Sequence, residues 1–273
     1  MDKLHVTKIK PRHPMLNYLI KYYWIMKTDT QVVVNHKLLP VNNIDIIINF
    51  SSSIEYSSEN KMKIVTKRAH FNGIRESYLT INQVGKLDVI GISFSPAGLY
   101  PLIKEPLCEY KNMTIELDTL ITEFTSRIEE NSKKAKNTID KIDIIEEVLV
   151  NMIDIKFIPE SKLIQIFNNF HSNTDNYSID QFCTQYGINQ RQLERYFRKY
   201  IGISPKLFQR LSRYQKTINR MLNNMTIDLT TLAYENGYYD QNHFIKEFKS
   251  FTGCTPSRYI NERNSVKEII LNS

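Results

Sequence analysis

One sequence pattern occurs twice in the C-terminal part of this chain, and it restricts the fold more than any other feature. The first copy covers Ser178–Phe208 and the second covers Asp228–Ile260. The copies align at an offset of 50, and after one inserted residue at an offset of 51, through the pairs Phe182/Leu232, Cys183/Ala233, Gly187/Gly237, Leu193/Phe244, Phe197/Phe248, Gly202/Gly253 and Pro205/Pro256. A chain with such a duplication builds one supersecondary unit twice.

Each copy has the pattern of a helix-turn-helix. The first helix ends at Gly187 or Gly237, because a left-handed residue costs least as glycine. The small Cys183 allows two helices to cross closely, and apolar residues four apart bury one face of the second helix. Ser204 or Thr255 then caps a further helix whose first residue is proline. The chain therefore predicts two helix-turn-helix units.

A long helix is predicted between the units, over Pro205–Leu222. Its apolar side consists of Leu207, Phe208, Leu211, Tyr214, Ile218 and Leu222. At 1.5 Å per residue it spans about 27 Å, close to the roughly 34 Å between successive major grooves of DNA. One chain could thus present two second helices to adjacent grooves.

The second helix of each unit leaves a polar face free. The first face consists of Gln190, Arg191, Gln192, Glu194 and Arg195, and the second of Asp240, Gln241, Asn242, His243 and Lys246. Arg and Lys suit guanine edges, Gln and Asn suit adenine, and an acid can accept from cytosine. Exposed helix faces are always polar, but two such faces in the same position of a duplicated unit indicate base reading.

The charge distribution also favours nucleic acid. The chain has 36 Lys and Arg against 29 Asp and Glu, a formal net charge of +7. Between Gly187 and Arg220, nine bases stand against a single acid, Glu194. A charge run is ordinarily a solvated helix face, but this density costs self-repulsion that an anionic partner relieves. Double-stranded DNA is the predicted partner.

The first half of the chain has a strand pattern that gives way to a helix pattern. Short β-branched and aromatic runs predict strands at Val32–Val34, Ile44–Phe50, Tyr78–Ile81 and Val89–Phe94. From about Thr114 the apolar period becomes helical and predicts two amphipathic helices, separated by the charged loop 131–137. These helices pack on their own domain or form a dimer interface.

The predicted fold class is α+β. A β-rich domain with C-terminal helices covers residues 1–155, and an all-α domain of two helix-turn-helix units covers residues 156–263. A tail follows at 264–273. The boundary is placed where Pro159 indicates a new helix start.

Residues from about 161 to 262 resemble the DNA-binding domain of the AraC/XylS family. The likeness is carried by RQLERYFRKYIGISP and by LAYENGYYDQNHFIKEFKSFTGCTPSRY. It implies base contacts from Arg191, Gln192, Glu194, Arg195, Gln241, Asn242, His243 and Lys246. Lys199, Lys206 and Lys249 are the predicted phosphate contacts. Two departures, Tyr238 for the usual Phe and His243 for a small polar residue, leave the fold intact but put the base preference at His243 in doubt.

The front half carries a less specific likeness. Tyr22–Trp24, Asp45–Phe50 and Gly91–Gly98 resemble the N-terminal domain of one subgroup of such regulators, a β-rich sensory or dimerisation domain. The resemblance implies a bacterial transcription regulator, and the lack of a secretory signal in the first residues predicts a cytoplasmic location. The resemblance leaves open a small-molecule effector, a homodimer and a contact with RNA polymerase. Activation is the expectation, although the residues do not separate activator from repressor.

Other function classes find less support in the sequence. An enzyme in the β-rich half is the alternative, but Gly91–Ser95 (GISFS) misses the last glycine of a nucleophile elbow, and the six histidines lack metal-site spacing. We expect no enzyme, metal or cofactor. A non-specific nucleic-acid binder is a third hypothesis. The three scattered cysteines and the lack of a long apolar run predict a reducing compartment and no membrane span.

Overall fold

The computed structural model describes residues 6–58, 63–172, 178–223, 228–262 and 268–269. The strands are β1 (Val6–Ile9), β2 (Ile20–Lys27), β3 (Val32–Leu38), β4 (Asp45–Asn49), β5 (Ile54–Ser57), β6 (Lys63–Thr66), β7 (Ala69–Asn72), β8 (Leu79–Gly85), β9 (Asp88–Phe94), β10 (Thr114–Glu116) and β11 (Glu268–Ile269). The helices are α1 (Leu16–Leu19), α2 (Tyr100–Ile103), α3 (Phe124–Ser132), α4 (Thr138–Met152), α5 (Ser161–Ser172), α6 (Ile179–Tyr186), α7 (Gln190–Tyr200), α8 (Pro205–Asn223), α9 (Leu229–Glu235), α10 (Gln241–Thr252) and α11 (Pro256–Glu262). The predicted α+β class is confirmed.

The strands form two sheets that pack face to face. One has the order β1-β2-β9-β4-β7-β10 and the other β11-β3-β8-β5-β6. The Tyr56 hydroxyl of the second sheet lies 2.8 Å from Nε2 of His70 in the first, and both residues are buried. Gly91 leaves room for an indole between the sheets, because a Cβ there would lie 1.8 Å from the Trp24 ring. A small apolar core fills the rest of the interior.

The helices after β10 bury their apolar faces within the chain. Phe124, Ile128, Ile142 and Ile145 are all fully buried, which fits packing on their own domain. The helical period was expected from about Thr114, and there the sequence prediction is wrong. Residues 114–116 pair with β7, and α3 starts only at Phe124. Local spacing could not reveal this pairing, because the partner strand lies about 45 residues earlier.

The C-terminal half contains the two predicted units, α6–α7 and α9–α10, joined by α8. Gly187 and Gly237 adopt left-handed φ values of 61° and 73° at the two turns. Cys183 is buried at the first helix crossing. The caps also form: Ser204 Oγ accepts from the Leu207 N–H at 3.2 Å, and Thr255 Oγ1 accepts from a backbone N–H at 3.4 Å.

The connecting helix α8 starts at Pro205 as predicted and runs one residue further than expected. Its predicted apolar side is buried at Leu207, Phe208, Leu211, Tyr214 and Ile218. The side chain of Leu222 lies outside the described residues.

The two halves meet along a surface that we call the seam. The Tyr100 and Tyr200 rings lie 4.6 Å apart there. Gly202 has a φ of 98°, and a Cβ on it would lie 2.9 Å from the Leu107 carbonyl oxygen. Further along, Asn42 donates to Ser212 Oγ at 2.7 Å. One apolar core runs from the first sheet through the seam into both helix-turn-helix units.

Other elements were not predicted. The strands β1, β2, β5, β6 and β7 have no counterpart among the expected strands. The tail was expected to follow an all-α region, but Glu268–Ile269 pairs in parallel with Lys37–Leu38 of β3. The boundaries 1–155, 156–263 and 264–273 stay predictions.

Candidate nucleic-acid interface

The second helix of the first unit, α7, is the first of the two predicted recognition helices, the helices that would enter the DNA grooves. A reciprocal cap fixes its N-terminus. The Asn189 side chain accepts from the Gln192 N–H at 2.8 Å, and the Gln192 side chain accepts from the Asn189 N–H at 3.0 Å. This arrangement satisfies two backbone donors that a helix start leaves without partners. Arg191 and Arg195 remain exposed on the outer face, while Leu193 and Phe197 are buried. The helix therefore presents its basic side to solvent.

An aromatic cluster holds α7 against its neighbours. Phe170 of α5 lies 4.7 Å from Phe197 and 4.9 Å from Phe182, centroid to centroid, with edge-on ring geometry. Phe208 of α8 lies 5.5 Å from Phe197 on another side. Rings in this arrangement contribute beyond their buried area. The first unit is thus joined rigidly to the connecting helix.

The second recognition helix, α10, repeats this construction. The Asp240 side chain accepts from the His243 N–H at 2.6 Å, and Phe244 and Phe248 are fully buried. Gln241, Asn242, His243 and Lys246 all stand exposed on the outer face. The His243 ring also meets the Tyr238 ring edge-on at 5.6 Å, so the unusual residue at position 243 has a structural neighbour.

The predicted base-contacting residues are not equally available. Arg191, Arg195, Gln241, Asn242, His243 and Lys246 are exposed. Gln192 has its carbonyl oxygen in the helix cap, and Glu194 forms an ion pair with Arg198 at 3.2 Å. Base contact from Gln192 would therefore use its NH₂ group, and base contact from Glu194 would compete with Arg198. The whole set stays a prediction.

The predicted phosphate contacts fall into two environments. Lys206 lines a groove of about 700 Å³ between α8 and α10, beside Lys246 of the predicted base-contacting set, and Lys249 is exposed in the last turn of α10. Lys199 instead lies at the seam, with its ammonium 5.0 Å from the centroids of both Tyr100 and Tyr200. Hydrogen bonding to Tyr100 raises the pKa of Lys199. Lys199 thus has a structural partner that the sequence did not indicate.

Sequence reasoning missed a group beneath the second recognition helix. Glu247 is 5% exposed and accepts from Arg210 Nε at 2.7 Å and from an Arg213 guanidinium nitrogen at 2.9 Å. The sequence feature that could have revealed this group is an acidic residue at position 247, directly beside Phe248 on the buried side of α10. Its partners could not be identified from spacing, because they lie on α8.

A cavity of about 180 Å³ opens at the seam. Apolar side chains from both halves line it, including Phe94, Leu107 and Phe208, together with Lys21 and His171. Burial lowers the pKa of Lys21, and nearby Lys8 acts in the same direction. Burial also lowers the pKa of His171, whose Nδ1 has no hydrogen-bond partner among the described residues.

The serine candidate of the enzyme alternative lies in the interior of the first sheet. Ser93 is fully buried in β9, where its hydroxyl accepts from Asn43 at 3.3 Å.

Within the described ranges, no helix is long and apolar enough to cross a membrane.

Two family matches cover separate parts of the chain. Residues 182–262 match the family described as "Helix-turn-helix domain", and residues 7–116 match "Domain of unknown function (DUF6597)". An "Uncharacterized HTH-type transcriptional regulator" of Haemophilus influenzae is 20% identical over 258 residues, which cover 87% of this chain and 85% of the relative.

Several solved structures are also similar. ToxT from Vibrio cholerae O395, bound to (E)-4-(8-methylnaphthalen-1-yl)but-3-enoic acid, is 15% identical, covers 95% of this chain and 98% of its own, and has a TM-score of 0.45. The AraC-like transcriptional activator CuxR is 15% identical over 80% of this chain and 86% of its own, with a TM-score of 0.28. With TM-scores this low, the assignment depends on the helix-turn-helix match, the regulator relative and the duplicated units. These findings support a DNA-binding transcription regulator with an AraC-type helix-turn-helix domain over residues 182–262.

Proposed function

We propose that the chain binds one face of duplex DNA with α7 and α10 in successive major grooves. The main support is that two capped helices with exposed polar faces are joined by the 19-residue helix α8. Exposed Arg191, Arg195 and Lys246 read bases, and Lys206 and Lys249 neutralise phosphates. Phosphate contact releases counterions, so affinity falls as salt rises.

Selection from a pool of randomised duplex DNA at near-physiological salt tests this proposal. We expect two short enriched motifs about 10 base pairs apart, one for each recognition helix. A pool that stays random, or a footprint that covers one groove only, would contradict it. A non-specific binder would lose affinity with salt equally on every sequence.

Single substitutions then show which recognition helix reads which of the two DNA motifs. Arg195→Ala and Lys246→Ala should each weaken binding to the selected site by about 1–3 kcal/mol and leave random DNA less affected. Lys63→Ala is the matched control, because it removes an exposed positive charge on β6, where Lys63 pairs with Glu55 of β5. Equal loss on both kinds of DNA would indicate a phosphate contact.

An effector at the seam cavity is the second part of the proposal. The cavity exceeds the roughly 150 Å³ that accommodates a benzene-sized molecule in an apolar protein interior. Its apolar walls and the Lys21 ammonium favour a compact apolar molecule with one acidic group. Because residues of both halves line the cavity, a ligand there would bias their relative position and so the DNA-competent population.

Thermal unfolding with a series of small aromatic and aliphatic carboxylic acids tests this site. The matching alcohols serve as ligand controls. A stabilisation by acids that disappears in Lys21→Met, but persists in Lys27→Met on the exposed end of the same strand, would support it. Equal stabilisation by acids and alcohols would contradict the claim that the ligand carries an acidic group.

Three further expectations belong to this proposal. A DNA-binding regulator acts where DNA is, so we place the protein in a bacterial cytoplasm. A homodimer and a contact with RNA polymerase stay predictions, as does the direction of regulation.

A further inference from the structure

A carboxylate lies buried beneath the second recognition helix. Glu247 belongs to α10, and its side chain is 4% exposed. A buried carboxylate costs several kcal/mol unless opposite charges and hydrogen bonds surround it. The Glu247 carboxylate also lies 3.9 Å from Nε2 of His243, a predicted base-contacting residue one turn earlier on α10.

Two arginines of the connecting helix hold this carboxylate. Arg210 Nε donates to one oxygen at 2.7 Å, and Arg213 donates to the other at 2.9 Å. The two arginines are three residues apart, so they project from adjacent turns of α8. Charge-assisted bonds from planar guanidinium groups restrict geometry more than an apolar contact does.

The same arginines also reach the turn before α10. Arg213 donates to the Gly237 carbonyl at 3.3 Å, and its guanidinium lies 4.4 Å from the Tyr238 ring centroid. The Arg210 guanidinium lies 5.4 Å from the Phe251 ring, at the other end of α10. The ion-pair group therefore fixes α10 against rotation about its own axis as well as against sliding along α8.

We infer that Glu247, held by Arg210 and Arg213, is a positioning residue that sets the rotation of α10 and thereby the base specificity of the second unit. This inference depends on the proposed two-groove function. The first unit carries Tyr196 at the aligned position, so the effect is confined to one half-site.

The chain supplies a matched control in a second ion pair of α8, which this helix makes with α9. Arg220 of α8 pairs with Glu235 of α9 at 3.0 Å, and both side chains are about half exposed. Glu235→Gln therefore removes an ion pair from α8 without touching α10. Glu247→Gln removes the charge at constant size, and Arg213→Lys keeps the charge but loses the planar fork.

The experiment measures affinity for three duplexes with the intact protein: the selected site, and the same site with the first or the second half-site scrambled. For Glu247→Gln we expect discrimination at the second half-site to fall about tenfold, the size of one lost base contact. Discrimination at the first half-site should stay within twofold of wild type. Arg213→Lys should lie between wild type and Glu247→Gln, and Glu235→Gln should match wild type.

The outcomes separate this inference from the function it depends on. Equal loss at both half-sites, or unchanged discrimination in a variant that melts at the wild-type temperature, would overturn the positioning role alone. Wild-type protein without preference for either half-site would overturn the proposed function and the inference together. If Glu247→Gln fails to fold, Arg213→Lys provides the decisive comparison.

Discussion

Asp45 lies in the β-rich half, and its surroundings make the free energy of unfolding depend on pH. Its carboxylate accepts from Trp24 Nε1 at 2.8 Å and from Asn43 Nδ2 at 2.6 Å. Burial raises its pKa from 3.8 to about 6, although both hydrogen bonds act in the opposite direction. The folded chain therefore holds this proton more tightly than the unfolded chain does.

The sign of the effect follows from that difference. Protonated Asp45 stabilises the fold fully below about pH 4, and this contribution is lost as the pH rises through about 6. A gap of about two pKa units corresponds to about 3 kcal/mol. Well above pH 6 the carboxylate is charged in both the folded and the unfolded chain. Asp45 then causes no further decrease in the free energy of unfolding.

The substitution Asp45→Asn removes the titration and keeps the shape. We expect the free energy of unfolding of Asp45→Asn, minus that of wild type, to rise by about 2–3 kcal/mol between pH 4 and pH 6.5 and then to level off. Urea titrations at closely spaced pH values measure this difference. Asp29→Asn, which removes an exposed carboxyl after β2, is the control. A flat difference for Asp45→Asn would refute the reasoning.

Three further predictions concern stability and use urea unfolding at pH 7. Asn189→Ala removes the cap of α7 and should cost about 1 kcal/mol, and no loss would mean that water replaces the cap. Phe170→Ala leaves a cavity in the aromatic cluster and should cost about 3–5 kcal/mol, whereas a cost below about 2 kcal/mol would mean that neighbours collapse into it. Gly202→Ala should cost more than Gly237→Ala, because only the former meets a backbone carbonyl at the seam, and equal costs would show that the seam yields.

The C-terminal half could be predicted closely because its elements are local. Helix ends at Gly187 and Gly237, the start of α8 at Pro205 and its buried side all depend on residues within one or two turns. The front half could not, because β-pairing joins distant segments. The strand β2 is buried at most positions and so shows no alternation. Thr114–Glu116 lies directly before the helical apolar spacing that starts at Leu117, so the spacing did not mark it as a separate strand.

The candidate site shows the same division. Exposure of Arg191, Arg195 and Lys246 follows from helical spacing, so these positions could be predicted. Lys199 could not, because its neighbour Tyr100 belongs to the other half of the chain. Glu247 likewise depends on side chains of α8, since contacts between helices leave no mark in the periodicity of either helix.

The apolar core that runs through the seam has a consequence for how the chain loses its structure. Sheets and helices that share one continuous core cannot lose their packing independently, so heat or urea should unfold both halves in a single cooperative step. A fragment cut at the predicted boundary would expose Tyr200, Phe208 and their apolar neighbours to water, and would be prone to self-association. The solubility of the DNA-binding half thus depends in part on the β-rich half, which covers its apolar surface.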